Sequence, residues 1–117
     1  MKVISRYIDC INSTIEYVVG KDANDNFQIL QDSGHDDIWF HIDGSSSAHV
    51  IAKIPVGLTI NKKHMLRIIK QGAVICKEVS KYASHKNVKI IFASVNDVTP
   101  TEKLGTVIVS KAKYMEV

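Results

Sequence analysis

The sequence predicts an α+β domain in which one long helix, at about residues 61–83, and one short helix pack on a mostly antiparallel sheet. Short segments rich in β-branched and aromatic residues occupy both ends of the chain, and a single long segment between them has helical periodicity. The length of 117 residues fits one domain, residues 1–117, with a core of its own. No apolar run approaches the roughly 20 residues of a membrane-spanning helix.

The N-terminal third predicts two strands and the short helix. The segments 2–9 and 13–19 alternate or are β-branched, which is typical of strands, and Gly20 ends the second. The polar turn 21–26 can cap a short helix over residues 26–32.

The centre of the chain predicts a β-hairpin. Strands over 37–43 and 48–54 flank the turn residues Gly44 to Ser47. For the apolar even-numbered residues of both arms to meet one core, even residues must pair with even ones.

The odd-numbered residues then share the other face of the hairpin, which we expect to be exposed. A base could stack on the indole of Trp39, the imidazoles of His41 and His49 could donate to phosphate or to a base edge, and Lys53 could supply charge. The alternative is that Trp39 packs under a loop, with the two histidines as its satisfied neighbours. A zinc site at the histidines and Asp43 has no recognised ligand spacing, so we assign no metal and no cofactor.

The predicted long helix carries an apolar stripe on one side and a row of basic residues on the other. The basic row consists of Lys63, Arg67, Lys70, Lys77 and Lys81. Like charges at this spacing repel, and phosphates would compensate them. The alternative is an ordinary solubilising face. Strands over 88–95 and 106–109 follow, and the segment 114–117 is expected to pair with the latter.

The distribution of charge indicates a class of partner, and the cysteine content indicates a cellular compartment. Residues 1–43 hold three Lys or Arg and eight Asp or Glu, whereas residues 44–117 hold twelve and four. Such asymmetry often marks a surface for polyanions. Cys10 and Cys76 are far apart and form no Cys-x-x-Cys pair. With no recognisable signal peptide, we expect a reducing compartment, the cytoplasm or alternatively the nucleus, and no membrane partner.

The pattern Asp37-Ile-Trp-Phe-His41, followed by Ser47-Ala-His49-Val50, resembles the NFACT-R domain. This domain is the RNA-binding module of the NFACT proteins of ribosome-associated quality control, and it also occurs as a short stand-alone protein with a coiled-coil tail. Gly20-Lys21 with Asn26, the segment Gly105-Thr-Val and the last strand agree with it. Asp22 departs from the usual Asn, and no coiled coil follows.

The resemblance implies an RNA partner, transfer RNA or ribosomal RNA, with DNA an alternative and ribosome-associated proteins as further partners. It implies nucleic-acid contacts by six residues: Lys21, Asn26, Trp39, His41, Ser47 and His49. It does not imply catalysis, and we expect no enzymatic activity. Two other functions stay open: an RNA-processing enzyme using the histidines as an acid–base pair, and a protein-interaction adaptor that pairs through an edge strand such as Tyr114 to Val117.

Overall fold

A computed structural model describes residues 1–117 and contains two helices and eight strands. In chain order the strands before the long helix are β1 (Lys2–Ile8), β2 (Ser13–Val19), β3 (Ile38–Ile42) and β4 (Val50–Lys53). Those after it are β5 (Lys89–Ser94), β6 (Val98–Pro100), β7 (Val107–Val109) and β8 (Lys113–Glu116). The helices are α1 (Ala23–Gln31), which follows β2, and α2 (Lys62–Glu78), which follows β4. The predicted α+β class is confirmed.

Six strands form the main sheet in the order β1-β2-β4-β3-β5-β8, with every neighbouring pair antiparallel. The hairpin of β3 and β4 has the predicted register, because Phe40 pairs with Val50 and Trp39 pairs with Ile51. Even-numbered residues therefore share one face of this hairpin and odd-numbered residues share the other.

Both faces of the sheet are covered, and each has its own core. On the even face, α2 packs over Phe40 of β3, Val50 of β4 and the apolar side chains of β2 and β5. On the odd face Ile29 and Leu30 of α1, together with Val98 of β6, pack on Trp39. The expectation that the odd face would be exposed is wrong for its centre.

The C-terminal pairing differs from the sequence prediction. β7 pairs with β6, a strand whose last residue is Pro100, and the two form a separate small sheet. β8 does not pair with β7 but lies at the edge of the main sheet beside β5. At the end of this two-stranded ribbon, the missing N–H of Pro100 leaves no ladder partner unsatisfied inside the sheet.

Both helices also differ from prediction at one end. α1 begins at Ala23 because the Asp22 side chain accepts the Asp25 N–H as an N-cap, so Asn26 lies inside the helix. α2 ends at Glu78 rather than near 83. Ser80 ends it, because the Ser80 hydroxyl donates to the Lys77 carbonyl and accepts the Tyr82 N–H. Neither helix is both long and apolar enough to cross a membrane.

Candidate nucleic-acid interface

The odd face of the sheet opens beside Trp39 into a cleft of about 830 Å³. Its walls are the start of α1, the loop between β3 and β4, and the loop between β6 and β7. Six of the predicted site residues line it: Lys21, Asn26, Trp39, His41, Ser47 and His49. These are the six residues that the sequence resemblance implied, and the fold brings them together from three separate segments.

Trp39 forms the floor of the cleft rather than an exposed platform. Its side chain is only 2 % exposed, and the His41 ring lies parallel to the indole at a centroid distance of 5.7 Å. One face of the indole is therefore covered by an imidazole. The prediction of an exposed tryptophan on which a base stacks is wrong, and the alternative of a tryptophan packed beside satisfied histidines is the one observed.

His49 is held in one tautomer by that tryptophan. The indole Nε1–H, which can only donate, lies 3.1 Å from Nδ1 of His49. Nδ1 therefore accepts, and the proton of the neutral ring is on Nε2. His49 is 4 % exposed, and this burial, with a smaller effect from the neighbouring His41, lowers its pKa to about 4. At neutral pH His49 is an uncharged donor.

His41 contacts both aromatic neighbours and is half-buried. Its ring meets the His49 ring edge-on, with centroids 4.9 Å apart. Burial lowers the pKa of His41, although the backbone carbonyls of Ile42 and Ser47 oppose that shift. The pKa of both rings is therefore lowered, which favours their neutral forms. Neutral rings can form hydrogen bonds but do not attract phosphate by charge.

Asn26 ties α1 to the start of β4. Its side-chain Oδ1 accepts the His49 backbone N–H at 3.1 Å, and the Gly20 N–H donates to the His49 carbonyl at 3.0 Å. A side chain at position 20 would overlap Asn26, so only glycine allows this approach. Lys21 follows directly and is exposed at the mouth of the cleft.

Ser47 shapes the loop between β3 and β4. Its hydroxyl accepts the Ile42 N–H at 3.2 Å and donates to the Ala48 carbonyl at 3.3 Å. Because these bonds already occupy the hydroxyl, Ser47 positions the loop and has little capacity left for the nucleic-acid contact that the resemblance implies.

The sequence of this cleft-forming chain matches a known family. Residues 7–111 match the family model of the NFACT protein RNA binding domain. The chain belongs to this family. The match covers nearly the whole chain, including every element that lines the cleft.

Two relatives illustrate the relationship. The chain is 35 % identical over 72 residues to coiled-coil domain-containing protein 25 of Danio rerio, a match that covers 62 % of this chain and 32 % of the relative. It resembles in fold the C-terminal part of the fibronectin/fibrinogen-binding protein of Streptococcus suis, with a TM-score of 0.73, 18 % identity, 88 % of this chain covered and 40 % of that chain. The chain thus spans about a third of the first relative and less than half of the second.

Lys53, which the hairpin pattern also predicted as a site residue, lies outside the cleft. Its Nζ is 2.8 Å from Oδ2 of Asp37, a carboxylate that is 5 % exposed. Asp37 also accepts the backbone N–H groups of Gly34 and Ile54. Lys53 therefore neutralises a buried structural carboxylate, and the prediction that it offers a free charge to a nucleic acid is wrong.

The predicted basic row on the long helix is shorter than expected. Lys63, Arg67 and Lys70 are exposed on α2, whereas Lys77 is half-buried and donates to the Val117 carbonyl at 3.2 Å. Lys81 lies beyond the end of α2. Because α2 packs on the even face of the sheet, the remaining basic face of α2 (Lys63, Arg67 and Lys70) lies on the opposite side from the cleft.

Sequence reasoning missed Lys103, which lines the cleft from the loop between β6 and β7. Gly105 in the same loop has φ +80° and approaches Ala23 so closely that a Cβ would lie 2.8 Å from the Ala23 Cβ. This contact seats the loop against α1. The glycine two residues after a lysine was the available signal, but it gains meaning only once β6 and β7 are seen to pair.

No group of three or more His, Cys, Asp or Glu side chains is placed to hold a metal ion. Both cysteines are free thiols.

Proposed function

We propose that this NFACT-R domain binds a structured RNA, transfer RNA or ribosomal RNA, in work related to ribosome-associated quality control in the cytoplasm. The observation that carries the proposal is the convergence of the six motif residues on one cleft in a chain of this RNA-binding family. DNA is the competing ligand that the binding experiment below must exclude.

Two surfaces would share the work. The cleft holds neutral donors, and the two cations and two anions that line it offset each other, whereas the basic face of α2 carries three exposed cations and lies away from it. The basic face would supply long-range attraction, since each neutralised phosphate releases counterions. A compact folded RNA can contact two sides of a small domain, and a short single strand cannot easily do so.

Binding to labelled RNA over a range of salt concentrations tests this proposal. Fluorescence anisotropy with a transfer RNA, a ribosomal RNA hairpin and DNA of the hairpin's sequence would be measured from 50 to 300 mM salt, conditions under which such contacts are salt-sensitive. We expect the double variant Lys63→Gln, Lys70→Gln to weaken RNA binding and to reduce the slope of log K against log salt by about one to two.

The matched control is Lys2→Gln with Lys111→Gln, which removes the same charge from exposed positions outside both α2 and the cleft. If control and test variants behave alike, the basic face of α2 is not an RNA surface. If DNA binds as tightly as RNA, the proposed RNA preference is wrong.

The proposed role is binding rather than catalysis. His41 and His49 lie in contact, but burial lowers the pKa of each ring, and Nδ1 of His49 already accepts the indole N–H of Trp39. Labelled RNA incubated with the pure protein should stay intact with and without a divalent cation. Cleavage that disappears in a His41→Ala variant would replace this proposal with the acid–base alternative.

The quality-control link is tested in cells. Crosslinking followed by sequencing of the bound RNA should recover transfer RNA or ribosomal RNA fragments, and the protein should sediment in part with ribosomes. Recovery of messenger RNA alone would contradict the link while leaving RNA binding itself in place.

A further inference from the structure

Two side chains on the cleft wall keep hydrogen-bond donors that no group of the protein uses. His49 spends Nδ1 on the indole, and Asn26 spends Oδ1 on the His49 backbone N–H. Their remaining polar groups, Nε2–H of His49 and the Nδ2 amide of Asn26, have no partner within the chain. Both side chains are more than nine-tenths buried. Every side-chain nitrogen or oxygen that is fully buried in this protein has a hydrogen-bond partner. Since these two donors have none, they are open to the cleft that they line.

The charges around the cleft nearly cancel. Lys21 and Lys103 line it, but so do Asp22 and Asp43. A site that selected phosphate by charge would be lined mainly by cations. The recessed part of this cleft offers neutral donors instead, and these suit carbonyl oxygens, which are acceptors without a net charge.

The half-exposed His41 ring adds an aromatic surface to the same wall. It lies parallel to the buried indole and is held edge-on by His49, so its orientation is fixed before any ligand arrives. A flat ring can stack on a fixed imidazole. The volume of about 830 Å³ lies within the range of small-ligand clefts and accommodates one nucleotide.

We propose that the cleft holds one unpaired base of the RNA and prefers the carbonyl-bearing bases uracil, cytosine and guanine over adenine. The inference rests on the proposed RNA-binding function. Uracil, cytosine and guanine present carbonyl oxygens that accept from His49 and Asn26. A carbonyl oxygen has two lone pairs and can accept from both donors, whereas adenine has no carbonyl and each of its ring nitrogens has one lone pair, so one donor of this wall would stay unpaired or meet the adenine amino group. A base within a duplex is stacked between its neighbours and cannot enter a recessed cleft, which restricts the site to unpaired nucleotides.

The first test uses the protein unaltered. Single-stranded U8 and C8 should bind about fivefold more tightly than A8, the factor that corresponds to one hydrogen bond of about 1 kcal/mol. Uncharged uridine and cytidine, at millimolar concentration, should change the emission of Trp39, the only tryptophan, and adenosine should do so less. Equal affinity for the three oligonucleotides, or no response to any nucleoside, would overturn the inference.

The second test inverts the proposed specificity. Asn26→Asp keeps the oxygen that accepts the His49 N–H but replaces the free amide donor by an acceptor. It should weaken U8 and C8 binding at least fivefold and leave A8 binding unchanged or improved. The matched control is Asn24→Asp, which adds the same charge at an exposed position of α1 outside the cleft.

The outcomes separate this inference from the proposed function. Transfer RNA binding that persists, with Asn26→Asp and Asn24→Asp indistinguishable, would reject the base site and retain RNA binding. Loss of all RNA binding by the wild-type protein would reject both. Should Asn26→Asp fail to fold, as judged by its thermal unfolding, the oligonucleotide series on the wild-type protein still decides the question.

Discussion

Acidification should destabilise this domain through His49, and the size of the effect follows from its pKa. The pKa of His49 is about 4 in the folded protein against an ordinary value of 6.5. Because the folded value is the lower one, the unfolded chain binds the proton first as the pH falls. The stabilising contribution is therefore complete above pH 6.5 and is lost progressively down to pH 4. At 1.36 kcal/mol per pKa unit the loss amounts to about 3 kcal/mol.

The assay is urea unfolding at pH 7 and at pH 4, followed by the fluorescence of Trp39, with Asn at position 49 as the reference. His49→Asn places a side-chain oxygen near the position of Nδ1, so the indole keeps an acceptor, but the group does not titrate. Carboxylates titrate alike in both proteins and cancel in the comparison. The wild-type protein should lose about 3 kcal/mol more than the variant between the two pH values.

A difference below about 1 kcal/mol would refute the reasoning. It would mean that His49 is protonated in the folded state without much cost, and hence that the ring is not a buried neutral acceptor for the indole. The tautomer assigned to His49, and with it the free Nε2–H donor in the cleft, would then be wrong.

Two further substitutions test the two cores of the sheet. Gly72→Ala would place a Cβ inside the space of the Phe40 ring, and the overpacking cost of about 1–3 kcal/mol should exceed the gain of about 1 kcal/mol in helix propensity. Urea unfolding should show a net loss of stability that Phe40→Leu in the same chain partly restores, and a stabilised Gly72→Ala protein would contradict the packing. Trp39→Phe removes the N–H that His49 accepts and leaves a gap, so stability should fall by about 2 kcal/mol; a protein of unchanged stability that binds RNA less well would instead indicate an exposed stacking platform.

Local patterning predicted the fold class and the register of the central hairpin correctly. Alternation in β3 and β4 requires that even residues face one core, and Phe40 opposite Val50 shows that they do. The same alternation could not show what lies over the odd face, because the residues of a strand do not indicate which element packs on it. The polar residues His41 and His49 suggested solvent, whereas α1 and β6 bury the centre of that face.

The C-terminal strands were misassigned for a related reason. Nearby segments usually pair, which favoured a hairpin between residues 106–109 and 114–117. Instead β8 completes the main sheet, and β7 pairs with a three-residue strand that includes a proline. A strand of three residues is too short for alternation to be recognised. Unless β6 and β7 are recognised as a pair, the sequence shows neither that β6 packs over Trp39 nor that Lys103 lies beside the cleft.

The motif that led to the cleft is largely a set of bonds within the protein. Asp37 accepts two backbone N–H groups, the indole of Trp39 donates to His49, and Ser47 accepts from the hairpin. Residues that recur together in a sequence pattern can do so because they hold each other, and such bonds fix the wall of a site without touching its ligand. Ligand contacts must then come from the groups that remain unpaired on that wall. These are Nε2–H of His49 and the Nδ2 amide of the neighbouring Asn26. An interface deduced from residue types alone assigns contacts to whole side chains, whereas the structure assigns them to single atoms.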